Sequence, residues 1–166
     1  MNIRDAIEED LPAIIAIYNE SIPAGFSTAD TKPITVVERI DWFRNFDPKK
    51  RPIWVAENDG IVVGCIYLSW FYGGRPAYDK TAEISTYIAQ SYQGKGLGTV
   101  LKQRMIAACP KLGIENLISM YFDHNTATQR LNDKLGFEPA GHLRHIADVN
   151  GTKRGLLISI LRIPSI

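Results

Sequence analysis

The stretch Ser91–Thr99, SYQGKGLGT, carries three glycines at alternating positions and one lysine. It lies between an apolar run, ISTYIA, and a helix-like run, VLKQRMIAA. A strand that passes through a glycine-rich turn into a helix N-terminus makes an anion site. Its backbone N–H groups point outward, glycine admits close approach, and the helix dipole adds partial positive charge. A purely structural turn is the other reading. Two phosphate motifs are excluded. The Walker loop fails because Gly94-Lys95 is followed by Gly96, with Ala89 where its first glycine should stand. The dinucleotide fingerprint fails because Thr99 replaces its third glycine. What remains is Q-x-x-G-x-G, formed by Gln93, Gly96 and Gly98. A second group of interest is Glu83, five residues before Ile88 in a β-prone and poorly charged strand. A carboxylate buried or facing a cleft there is costly without a purpose; pairing with a lysine on a sheet face is the alternative.

The elements that must position these groups follow from periodicity. NIRDA is a short strand, and EEDLPAIIAIYNES places Leu11, Ile14, Ile15 and Tyr18 on one helical face. ITVVERIDWFRNF is a second helix, and IWVAEN and IVVGCIYLSWF are strands joined at a DG turn. TAEISTYIA is a strand of β-branched and aromatic residues that feeds the glycine turn. A helix from about Leu97 to Cys109 follows, then a strand, ENLISMYF, and a helix, NTATQRLNDKL, stopped by Gly136. Two final strands surround an Asn-Gly turn. The order βααβββαβαββ predicts an α/β domain, helices packed around a mixed sheet, spanning residues 1–166 as one unit.

Bulk properties narrow the function. A net charge of +1 gives no reason to expect nucleic acid or an anionic membrane as a partner. No run approaches the ~18 apolar residues of a membrane span. Cys65 and Cys109 show no CxxC or Cys/His ligand spacing, so no metal site or disulfide framework is expected. With an acidic start, MNIRDAIEEDL, in place of a signal peptide, a cytoplasmic protein is expected.

The Q-x-x-G-x-G turn resembles the acetyl-coenzyme A signature of the GCN5-related N-acetyltransferases. HNTATQRLNDKLGF is similar to a second motif of that family, through Asn125, Thr128, Gly136 and Phe137. AIYNESI, STADTKP, RPIWVAENDG, GRPAYDKTAEISTYI and LGFEPAGHL resemble its phosphinothricin and methionine-sulfone acetyltransferase branch over nearly the whole chain. The resemblance implies a mostly antiparallel sheet with helices on both faces, and acetyl-CoA as co-substrate. It implies a small amino-acid-like amine as acceptor, and a homodimer. A peptide or protein N-terminal acetyltransferase, or a non-catalytic acetyl-CoA-binding module, is the alternative.

The same resemblance implies roles for single residues. Gln93, Gly94, Lys95, Gly96, Leu97 and Gly98 would cradle the pyrophosphate, Lys95 as rim charge or as a plain surface lysine. Thr86, Tyr87 and Ile88 would run beside the pantetheine like an added strand, with the Ile88 N–H facing the thioester oxygen. Asn125 would touch the cofactor arm, cap a helix, or both. Glu83, in the TAE position, would be the general base for the amine. Arg75 could grip an acceptor carboxylate, with Tyr72 and Tyr78 in the same loop. There are departures as well. Asn132 stands where the family carries a tyrosine or histidine acid, so water or another residue must serve the leaving thiolate. Lys153 and Arg154 stand where the branch has a Trp-His-Asp-like run. The three histidines, His124, His142 and His145, share no metal spacing and are read as polar surface residues.

Overall fold

The computed structural model describes residues 1–164. It contains β1 (Asn2–Asp5), α1 (Leu11–Glu20), α2 (Val36–Arg44), β2 (Ile53–Asn58) and β3 (Ile61–Trp70). These are followed by β4 (Thr81–Ile88), α3 (Leu97–Ala108), β5 (Asn116–Phe122), α4 (Thr126–Lys134), β6 (Glu138–Val149) and β7 (Thr152–Arg162). The order is the one read from the sequence, with short 3-10 turns added, and the fold is the mixed α/β type expected. Local chemistry sets the boundaries. Thr35 and Glu38 close a reciprocal capping box at the start of α2. Asp59-Gly60 and Asn150-Gly151 both take positive φ at their hairpin turns, where Asp, Asn and Gly tolerate it.

The seven strands lie in the order β1-β2-β3-β4-β5-β7-β6. Every neighbouring pair is antiparallel except β4 and β5, which run parallel. One face carries a core of Ile66, Leu68, Ala82, Ile84 and Leu117 under Leu101 and Met105 of α3 and Cys109 at its C-cap. The other face packs Ile53, Val55 and Cys65 against Ile14 of α1 and the partly buried Trp42 and Phe43 of α2. Because side chains alternate along a strand, Glu83, Ser85 and Tyr87 project toward α1 and α2. Ala82, Ile84, Thr86 and Ile88 project toward α3.

The single parallel pairing is short, and it opens the sheet. β4 and β5 are paired only at Thr81–Asn116, Ala82–Leu117 and Glu83–Ile118. Beyond that point β4 stays with β3 as far as Ile88, and β5 stays with β7 as far as Phe122. The sheet therefore forks immediately after Glu83.

Candidate active site

A cleft of about 450 Å³ fills this fork. Its walls are β4 from Ile84 to Ile88 and β5 from Ser119 to Tyr121. Gln93, Gly94, Gly96, Leu97, Gly98 and Thr99 form its mouth, and Asn125 and Thr128 of α4 lie across from them. Ile17, Ser21 and Ser27 reach it from the α1 side, so the cleft opens toward both faces of the sheet.

The mouth is built to hold an anion. Gly94 and Gly96 have φ of +71° and +84°, a region that favours glycine. Gly96 is the N-cap of α3 and supplies no side-chain cap. The first N–H groups of a 12-residue helix are thus left for a ligand at its positive end. Gly98 is a normal helical residue, and a Cβ added there would sit 3.7 Å from Leu131 Cδ2, an ordinary contact. Gln93 turns inward: its Nε2 donates to the Ile88 carbonyl at 3.0 Å, tying the turn to the strand before it. Lys95 stands over the Tyr92 ring, 5.1 Å from its centre, and is not part of the cleft lining.

The inner wall offers unpaired backbone. The Ala89 N–H bonds to Val63 O at 3.0 Å, which makes Ile88–Gly64 a non-hydrogen-bonded pair in the antiparallel ladder. By alternation, the N–H groups of Thr86 and Ile88 point away from β3 and into the fork. Thr86 adds a buried hydroxyl with no hydrogen-bond partner in the protein. A ligand bearing amides, laid along β4, would satisfy these groups as a third strand would. The residues present therefore fit a pantetheine arm ending in an anionic nucleotide.

Glu83 sits at the closed end of the fork, opposite Ser69 on β3 and Ile118 on β5. Among the described residues it forms no salt bridge, so the lysine pairing considered from sequence is absent. Burial pushes its carboxyl above the usual carboxylate range. Tyr87 lines the cleft and also a second cavity of about 50 Å³, with Tyr18, Arg39, Trp42 and Tyr67. Tyr18 bonds to Thr28 and Asp30, and Arg39 reaches Asp30 at 3.5 Å, so the 28–30 loop is tied to both first helices. Sequence points to Asp30, with Thr31, as a loop-ordering residue or a simple turn, but not to its partners Tyr18 and Arg39, which lie far from it in the chain.

Asn125 has both amide ends engaged. Its Oδ1 accepts from the Thr128 N–H at 3.0 Å as the N-cap of α4, and its Nδ2 donates to Phe26 O at 2.9 Å. The loop after β3 is less central. Arg75 lies over Tyr72 at 5.3 Å, Tyr72 and Tyr78 meet edge to face, and none of the three lines either cavity. Both cysteines are buried and free, their thiols pushed up to about 12 by desolvation. Neither can serve as a nucleophile. No group of three or more metal-ligating side chains occurs among the described residues.

Comparison with known proteins agrees with this geometry. The profile of the acetyltransferase (GNAT) family matches residues 11–137. YwnH of Bacillus subtilis, provisionally named a phosphinothricin acetyltransferase, is 42% identical over 159 residues, covering 95% of this chain and 96% of that protein. The L-methionine sulfoximine/L-methionine sulfone acetyltransferase of Pseudomonas aeruginosa is 32% identical over 154 residues, covering 90% and 87%. The solved phosphinothricin acetyltransferase of Sinorhizobium meliloti, in complex with acetyl-CoA, superimposes with a TM-score of 0.91 at 28% identity, covering 98% of this chain and 88% of that one.

Proposed function

This chain belongs to the GNAT family of acetyltransferases, and from that premise we propose that it acetylates the amine of a small amino-acid-like molecule. Acetyl-CoA is the co-substrate, and phosphinothricin and methionine sulfone represent the acceptor class. The observation that carries the reading is the fork between β4 and β5, with the uncapped start of α3 at its mouth and Glu83 at its closed end.

Gln93 to Gly98 and the α3 N-terminus hold the pyrophosphate, and the Thr86 and Ile88 N–H groups meet the arm. Thr86 is nearer to Glu83 by two residues, about 7 Å at strand rise. It is therefore the better donor to the thioester oxygen, with Ile88 serving the arm. Asn125 braces the opposite wall. The thioester supplies an activated acyl carbon. Glu83 accepts a proton from the incoming ammonium, directly or through one water, and the free amine attacks that carbon in a ternary complex. A carboxyl raised by burial is a stronger base than a solvated one, which suits this step. Direct attack is supported by the inertness of Cys65 and Cys109.

On the acceptor side, Arg75, Tyr72 and Tyr78 sit in the loop leading into β4, at the Glu83 end of the strand. Arg75 is the group suited to a carboxylate of the acceptor. The reading also makes the enzyme a cytoplasmic homodimer. The twelve-residue β6 is exposed along most of its length, including Leu143 and Ile146, and is the strand best suited to meet a second copy.

The test is an acceptor screen with acetyl-CoA against methionine sulfone, phosphinothricin, polyamines and short peptides. Turnover confined to the amino-acid analogues supports the proposal. Turnover confined to peptides sinks it in favour of N-terminal acetylation, and tight acetyl-CoA binding with no turnover on any amine sinks the catalytic reading.

A further inference from the structure

The α3–α4 wall of the cleft holds a buried lysine. Lys102, at the sixth position of α3, is only 4% exposed and lines the cleft. Its Nζ donates to Asn132 Oδ1 at 2.7 Å, and the fully buried Asn132 donates through Nδ2 to Ser119 Oγ at 3.0 Å. Ser119 is the first β5 residue past the last β4–β5 pair, so this chain of contacts ends at the apex of the fork.

The surroundings of Nζ hold no counter-ion. Asn132 of α4 is its one neutral partner; the same cleft is lined by Thr128 and Leu131 of α4 and by Ser119 and Tyr121 of β5, the Tyr121 hydroxyl pairing with Ser159 at 3.0 Å. The Phe137 ring lies 5.6 Å from Nζ on the remaining side. No carboxylate reaches Lys102 among the described residues. A buried ammonium with one neutral acceptor leaves two N–H donors and a full charge uncompensated. Such a group is costly unless an anion arrives during function.

We propose that Lys102 is the cation that meets the coenzyme A thiolate as it departs, with Asn132 as the positioning residue that aims it. The proposal rests on the acetyl-CoA reading above. As the amine nitrogen bonds to the acyl carbon, the C–S bond breaks and its electron pair stays on sulfur, which pairs with Nζ. The nitrogen gives up two protons in all: Glu83 passes the first to solvent before attack and takes the second as the amide forms. On release of coenzyme A the sulfur takes up one proton from solvent, so one proton is released per turnover and Lys102 keeps its own. An asparagine in place of an acid is then no defect: its carbonyl orients an ammonium that does the electrostatic work. Burial has drawn the ammonium down to about 8, and a thiolate beside it would reverse that shift.

The test uses the whole chain without acceptor, and compares coenzyme A with desulfo-coenzyme A, which lacks the sulfur. Binding is followed by calorimetry, and the bound thiol by its ultraviolet thiolate absorbance across pH. The bound thiol should ionise at least about one pH unit below the free thiol, equivalent to a tenfold preference for thiolate. Coenzyme A should outbind desulfo-coenzyme A by a similar factor at pH 8. Lys102→Met should abolish both effects and keep desulfo-coenzyme A affinity, while turnover falls on the order of 100-fold. A thiol that titrates in the wild-type complex as it does in water overturns the proposal, and this comparison needs no variant to fold. So does a Lys102→Met protein that retains the shifted titration. If the wild type binds neither nucleotide, the acetyl-CoA reading itself falls, and the role of Lys102 with it.

Discussion

Glu83 and Ile118 form the last paired step between β4 and β5, and the sheet opens directly beyond them. The one carboxylate of β4 is thereby fixed where the fork closes, one residue short of the cleft lining, by backbone pairing on both sides. A carboxylate placed this way can be changed without dismantling the cleft.

Glu83→Gln should therefore lower kcat by at least about 100-fold, the usual scale of a lost general base, and leave acetyl-CoA affinity nearly unchanged. In the wild type the rate should rise with pH through the elevated carboxyl pKa, because only the carboxylate accepts a proton. Stability should move the other way. A carboxyl whose folded pKa is raised favours the fold below its unfolded pKa, and that advantage is lost as pH rises through the folded value. At neutral pH the neutral glutamine should raise the thermal midpoint. A variant as active as wild type across pH 6 to 9, roughly the range in which such a base shows, would remove Glu83 from the mechanism.

Gly98→Ala separates fold from ligand. A Cβ there meets only Leu131 at 3.7 Å and the backbone is regular helix, so the thermal midpoint should stay or rise slightly. Coenzyme A affinity should fall only modestly, since Gly98 and Leu131 both line the cleft and the added methyl group narrows the space between them. Calorimetric titration alongside a melting curve reads both.

Asn125→Ala removes a helix cap and the tether to Phe26 together. Loss of the cap alone costs about 1 kcal/mol. Denaturant unfolding should show at least that loss, and limited proteolysis should cut faster within residues 25–31 than in wild type. Equal cleavage rates would mean that the tether does not order that loop.

Native protein at pH 8 should resist iodoacetamide at both Cys65 and Cys109 and lose no activity, because both thiols are buried and pushed up to about 12. Unfolded protein should take up both labels. Rapid native labelling coupled to inactivation would reopen a covalent acetyl carrier.

The extent to which the sequence announced this arrangement depends on how local each signal is. The glycine turn, Asn125 as a cap, and the DG and NG hairpins are decided within a few residues, and each stands where its pattern placed it. The fork is different. Nothing within TAEISTYI says that its neighbour on one side peels away after Glu83, because that depends on β5 pairing with β7 forty residues later in the chain. Lys102 did leave a trace. It sits between Leu101 and Met105, both buried, where a lysine is out of place on a core-facing helix. Its partner Asn132 was noticed only for the acid it lacks. The Tyr18–Asp30–Arg39 set joins a helix, a loop and another helix, and no spacing rule reaches across them.

The open edges of β4 and β5 also bear on how molecules meet one another. An unpaired strand edge at the rim of a sheet is a template on which another chain can build an aggregate. Here two such edges face each other inside the molecule, with Thr128 and Leu131 of α4 and Ile17 of α1 among the walls between them. A half-finished sheet is thus kept inside the molecule rather than at its rim.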